Sequence, residues 1–110
     1  MSITQSNSAE NQSPHGVIAD WIVGYIATTL DVEQSRIDRQ APFKRLGLDS
    51  SVAVAMTGEL GEWLGIEVDP AAPYDHPTIE KLAAMLAAQP RVQAALERSQ
   101  RQAKAAAGAP

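Results

Sequence analysis

The sequence predicts an all-α fold, a small helical bundle with a long first connection. Three observations predict it. Apolar residues recur at three- and four-residue spacing in three separate stretches. Prolines and turn-forming residues separate those stretches. The only alternating segment, Ile66-Glu67-Val68, is too short to make a strand. With 110 residues, the chain has the size of one small domain, and its 45% hydrophobic content supplies a modest core.

The opening segment MSITQSNSAENQ is rich in Ser, Asn and Gln and is expected to be disordered. A flexible N-terminal segment is therefore placed at residues 1–14, the folded domain at 15–89, and a flexible or frayed helical tail at 90–110. Ser13 and Pro14 suit a helix start, the serine as cap and the proline at the first helical position. Val17, Ile18, Trp21, Ile22, Tyr25, Ile26 and Leu30 then repeat at helical spacing. They predict an amphipathic helix of about 14–17 residues with Trp21 and Tyr25 on its core stripe.

Residues 31–49 form the long connection. Ile37, Phe43, Leu46 and Leu48 punctuate it without a regular period, and Pro42 and Gly47 resist a continuous helix. A connection of that length in a small domain needs anchoring, so its apolar residues are expected to pack back across the core. A second helix is predicted from Ser50 to Leu64, with Val52, Met56, Leu60 and Leu64 as its stripe. Asp49 reads as its N-cap and Gly65 as its C-cap. Gly58 and Gly61 lower its propensity, although a helical glycine also permits close approach of another element. Ile66 and Val68 are expected to drop onto the core. Pro70 and Pro73 interrupt the next segment, and Asp75-His76-Pro77-Thr78 is a turn whose capping residue the sequence does not single out. Ile79, Leu82, Ala83 and Leu86 predict a last core helix that ends near Pro90. Beyond it, Val92 and Leu96 are the only large apolar anchors.

Composition excludes several functions. Without cysteine there is no disulfide, thiolate nucleophile or cysteine metal site. His15 stands at the edge of the expected lead and His76 in a proline-bounded turn, so no metal-ligand pattern arises. The opening residues lack the basic start and apolar run of a signal peptide, and WIVGYIATTL is too short to span a bilayer. A cytoplasmic protein without membrane insertion is expected. Net charge is −4, unevenly spread: residues 17–88 hold eleven acids against five bases. An acidic body disfavours nucleic acid and favours basic protein partners.

The residues that draw attention are Asp49-Ser50-Ser51. A serine hydrolase would need a base and an oxyanion site, and the nucleophile-elbow pattern is absent, so no catalytic residue is assigned. A serine at a helix start can instead carry a phosphate, since free backbone N–H groups and the positive helix end favour a phosphodiester. As local structure alone, "DSS" is also an ordinary capping sequence. Both readings stay open on local physics.

The wider pattern resembles the acyl carrier protein family. "LGLDSS" at 46–51 follows an amphipathic first helix and a long loop, and is succeeded by "ELGEWLGIEVDP" and "YDHPTIEKLAAML". The resemblance covers residues 17–88. It implies a four-helix bundle of three main helices and one short helix near residues 70–76. It implies that Ser50 receives 4′-phosphopantetheine from coenzyme A, transferred by a dedicated phosphopantetheinyl transferase with magnesium. The arm's thiol then holds acyl groups as thioesters, so the reactive sulfur is imported. The protein itself would be no enzyme.

Two departures stand beside the match. Relatives commonly place leucine where this chain has Ser51, and glutamate where it has Ala55. Glu59 and Glu62 remain on the second helix, with Asp49 at its start. The implied docking face therefore comprises Asp49, Ser51, Val54, Ala55, Gly58, Glu59 and Glu62, with less charge near the arm. The downstream segments are similar to carriers that work beside fatty acyl-AMP ligases in polyketide or mixed peptide–polyketide pathways. The implied partners are that ligase or another loading enzyme, then a ketosynthase or condensation enzyme. A peptidyl carrier more typically has histidine where Asp49 stands. The alternative of a different class is a non-catalytic helical interaction domain whose serines only cap a helix.

Overall fold

A computed structural model describes residues 13–98. Among them there is no strand; one isolated bridge pairs Pro42 with Thr78. The helices are α1 (Pro14–Leu30), α2 (Phe43–Leu46), α3 (Ser50–Leu64), α4 (Ala72–Asp75), α5 (Ile79–Ala87) and α6 (residues 90–98), with a 3₁₀ turn at Gln34–Arg36. The expected bundle is present: α1, α3 and α5 are the main helices and α4 is the short one. The one-turn α2 and the 3₁₀ turn inside the first loop were not foreseen, because four-residue elements leave no periodic signature.

Each main helix starts on the side chain of a short polar residue. Ser13 Oγ accepts from the Gly16 N–H at 3.2 Å, Asp49 Oδ1 from Val52 at 2.9 Å, and Thr78 Oγ1 from Lys81 at 3.1 Å. Thr78 thus settles the cap that its turn left open. Helix α1 ends without glycine: Asp31 takes the left-handed conformation (φ +58°), and its N–H bonds the Ala27 carbonyl. A short polar side chain tolerates that region better than most.

The core forms where the stripes meet. Ile18, Ile22 and Ile26 of α1 pack with Met56, Leu60 and Leu64 of α3 and with Ile79, Leu82 and Leu86 of α5. All nine are essentially without solvent contact, and each contributes about 1.5–3 kcal/mol by leaving water. The first loop packs back as expected: Phe43 and Leu48 are buried in this core, with Ile37 and Leu46 partly so. Ile66 and Val68 also pack against it.

Two differences concern the ends. His15 is in α1, and its Nε2 lies 2.8 Å from Glu80 Oε1 on α5. The lead therefore does not extend to His15, because Ser13 caps a helix that begins at Pro14. At the other end, residues 90–98 are helical and bury Val92 and Leu96 in the core. Two apolar residues four apart suffice to seat one helix face. The expected disorder of residues 1–12 and the fraying beyond 98 lie outside the described residues.

The two glycines inside α3 are not equivalent. A Cβ on Gly61 would sit 2.7 Å from the Ile66 carbonyl oxygen, whereas one on Gly58 would meet nothing within 4 Å. The chain folds back after α3 so tightly that only glycine fits at 61. Gly58→Ala is expected to raise stability by about 0.5–1 kcal/mol through helix propensity. Gly61→Ala is expected to lower it by about 1–3 kcal/mol, because backbone must move. Urea denaturation of the two variants checks the opposite signs.

Candidate functional site at the start of α3

The segment leading into α3 is fixed residue by residue. Helix α2 closes at Gly47, whose φ of +99° suits glycine, and the Leu48 N–H bonds the Phe43 carbonyl at 3.2 Å. Leu48 is buried. Asp49 is extended (φ −87°, ψ 177°) and caps the helix through both its carboxylate and its carbonyl, which accepts from Ala53 at 3.0 Å. Ser50 and Ser51 are then the first two helical residues, and both are exposed. Backbone N–H groups in this first turn have no partner within the helix.

The two serines face different surroundings. Ser50 lines an open cleft of about 430 Å³, and Ser51 does not. Buried Phe43, Leu48 and Ala53 line the cleft, together with Pro73, Tyr74 and Pro77. Lys44 and Asp49 are the charged residues that line it. Two of these segments are tied by backbone contacts: the Phe43 N–H donates to the Pro77 carbonyl at 2.7 Å, beside the Pro42–Thr78 bridge. Sequence reasoning did not single out Lys44 or Tyr74. The signal for Lys44 lay two residues before "LGLDSS", but nothing local tied Tyr74 to Ser50.

Ser51, Val54, Ala55, Gly58 and Glu62 are all exposed and share one face of α3 at three- and four-residue spacing. Val54 keeps 46% of its surface in water. Glu59 is exposed as well but borders a groove against α1, which it lines with Trp21 and Tyr25. Burial, and then Glu59's charge and hydrogen-bonding contact, hold the Tyr25 hydroxyl above its usual pKa. Nearby, Tyr25, Trp21 and Trp63 make a continuous stack, with ring centroids 5.4 and 5.3 Å apart. Trp21 and Tyr25 are half-buried and pack against the core.

An exposed hydroxyl on the first turn of a 15-residue helix suits a covalent anionic group. Among the described residues, no group of three His, Asp or Glu side chains is placed to hold a metal ion. No helix of the described residues is long and apolar enough to cross a membrane.

Comparison with known proteins agrees with this architecture. Residues 20–86 match the family model for the phosphopantetheine attachment site. The chain belongs to the acyl carrier protein family of phosphopantetheine-binding carriers. It is 34% identical over 71 residues to the acyl carrier protein TtuC of Teredinibacter turnerae, covering 64% of this chain and 82% of that one. It is 40% identical over 68 residues to a phenolphthiocerol/phthiocerol polyketide synthase of Mycobacterium tuberculosis. That match covers 62% of this chain but spans only 4% of the synthase chain. Among solved structures, a free-standing peptidyl carrier protein from Acinetobacter baumannii superposes with a TM-score of 0.64 and 32% identity. It covers 67% of this chain and 92% of that one.

The chain is thus a carrier rather than an enzyme, bearing thioester-linked intermediates on a covalent 4′-phosphopantetheine arm, as polyketide and fatty-acid pathways use them. Membership implies an arm transferase, a loading enzyme and a downstream synthase as partner types. Asp49→Ala is expected to cost about 1 kcal/mol by removing the cap on Val52, with Asp49→Asn keeping most of it. Thermal or urea unfolding of both variants tests this.

Proposed function

We propose that Ser50 is the residue that takes the phosphopantetheine arm and that a fatty acyl-AMP ligase loads it. The single observation that supports Ser50 over Ser51 is its place on the cleft at the first position of α3. In the attachment step, a bond forms between Ser50 Oγ and phosphorus as the pyrophosphate of coenzyme A breaks. Adenosine 3′,5′-bisphosphate leaves, and the serine proton passes to a base on the transferase. The arm, once bound, supplies a thiol that carries acyl groups as thioesters. The protein's own part is to hold Ser50 in the open, give a fixed base to a mobile tether, and present a docking face. Tethering raises the local concentration of cargo at a docked partner.

The docking face we propose comprises Ser51, Val54, Ala55, Gly58 and Glu62 on one side of α3, with Asp49 at its start and Glu59 at its α1 edge. Its centre is apolar and small, so partners meet it by close packing more than by charge. Ala55→Glu is expected to leave folding intact and to change the rate at which a cognate ligase or synthase transfers cargo. An unchanged rate with every partner overturns the face. The likeness to a peptidyl carrier makes an aminoacyl cargo the second reading. Offering candidate adenylating enzymes fatty acids and amino acids, and reading the carrier-bound mass, separates the two.

Incubation with coenzyme A, magnesium and a broad-specificity transferase is expected to add the mass of one phosphopantetheinyl group to the wild type and to Ser51→Ala. Ser50→Ala should gain nothing. Intact-mass spectrometry reads all three, and a gain in Ser50→Ala places the arm elsewhere.

A further inference from the structure

We propose that the groove between α1 and α3 is a second docking surface, which takes an arginine side chain of a partner protein between the Tyr25 end of the aromatic stack and the Glu59 carboxylate. It lies to the side of the outward face of α3 and does not depend on which serine carries the arm.

Charge is the first feature that carries it. The groove has a volume of about 590 Å³, and both charged residues that line it are acids, Asp20 and Glu59. Asp20 is already engaged, with Arg39 Nη2 at 2.6 Å from its Oδ1. One arginine of the chain itself therefore meets this groove. Glu59 belongs to neither of the two ion pairs formed among the described residues, His15–Glu80 and Arg39–Asp20. Thr28 and Thr29, which also line the groove, lie in the last turn of α1, and that turn holds no basic residue. The negative end of the helix adds to the attraction for a cation. Arg36 lies in the next hollow, beside Asp31 and Glu33.

The rings are the second feature, and they select arginine over lysine. Trp21 is stacked against both Tyr25 and Trp63, whereas Tyr25 is stacked against Trp21 alone. Tyr25 thus ends the stack, and it lines the groove together with Glu59, whose hydrogen-bonding contact reaches its hydroxyl. A guanidinium is planar, so it can lie on a ring while its N–H fork meets a carboxylate; an ammonium has no flat face to stack.

Position is the third. Glu59 stands nine residues beyond Ser50, about 14 Å along the axis of α3. A partner held there leaves both serines clear. One exposed ion pair with one ring contact is weak, so the contact is readily reversed.

The test titrates the full chain, at low salt, with an acetylated and amidated pentapeptide that holds one arginine among alanines. Its lysine and glutamate counterparts are titrated in parallel. Two-dimensional NMR follows the Tyr25 ring protons and the Trp21 indole N–H. The arginine peptide is expected to shift both saturably, the lysine peptide to bind at least about two-fold more weakly, and the glutamate peptide to do nothing. Glu59→Gln should weaken arginine binding about two- to five-fold, whereas Glu67→Gln, which removes an exposed acid elsewhere, should bind as the wild type does. Equal binding of the arginine and lysine peptides overturns the proposal. Equal losses in Glu59→Gln and Glu67→Gln do so too, because net charge alone then accounts for the attraction. Shifts confined to Val54 and Ala55 put the basic segment on the outward face of α3, and the absence of any saturable shift leaves no site; both overturn the groove. Each of these results leaves the intact-mass test of Ser50 untouched.

Discussion

The hydrogen bond from the Phe43 N–H to the Pro77 carbonyl, 2.7 Å long, is the contact on which the end of the molecule carrying the candidate site depends. It joins the first loop to the turn that starts α5. The bridge between Pro42 and Thr78 lies beside it, and the Glu80 N–H reaches back to the Arg39 carbonyl at 3.1 Å. Together these bonds make a backbone clasp between segments far apart in the chain. The clasp satisfies polar groups that a loop crossing the core would otherwise leave buried and unpaired. It also sets Phe43 into the core, and from Phe43 the chain has only α2, Gly47 and Leu48 to cross before Asp49 and the serines.

Rigidity and exposure are divided along α3. Its buried side carries Met56, Leu60 and Leu64, and its partly buried Trp63 stacks on Trp21 of α1. Gly61 lets the returning chain approach the helix at backbone distance. These contacts pin the helix along its length. The first two turns are different on their outer side: Ser50, Ser51, Val54 and Ala55 all face solvent. A tethered group swung from such a point needs a fixed base and free space, and the packing supplies both. A face that contributes nothing to the core can vary without cost to the fold.

Charge follows a different logic from packing. The body of the domain is acidic, yet the face of α3 nearest the serines is uncharged from Ser50 to Gly58. Glu59 is turned toward Tyr25 and α1, which leaves Glu62 as the acid on the outward face. A net charge spread over the surface keeps the domain soluble and steers encounters. The small, uncharged side chains there leave shape and apolar area as what the proposed docking face offers.

The main helices were legible in the sequence because each buries one stripe and the stripe repeats with the helical period. Two of the three polar N-caps, Ser13 and Asp49, were legible because a cap is read from residues within one turn of each other. The family pattern around "LGLDSS" was readable for the same reason: it is contiguous. The remaining features depend on residues far apart in the chain, and folding alone brings those together. The one-turn α2, the clasp to Pro77 and the seating of Val92 and Leu96 have no local signature. The inequality of the two serines has the same origin. Local physics gave Ser50 and Ser51 the same helix end, and one step around the helix turns them by about 100°. That rotation matters only because Phe43, Tyr74 and Pro77, brought together by the fold, place a cleft beside Ser50 and leave Ser51 outside it.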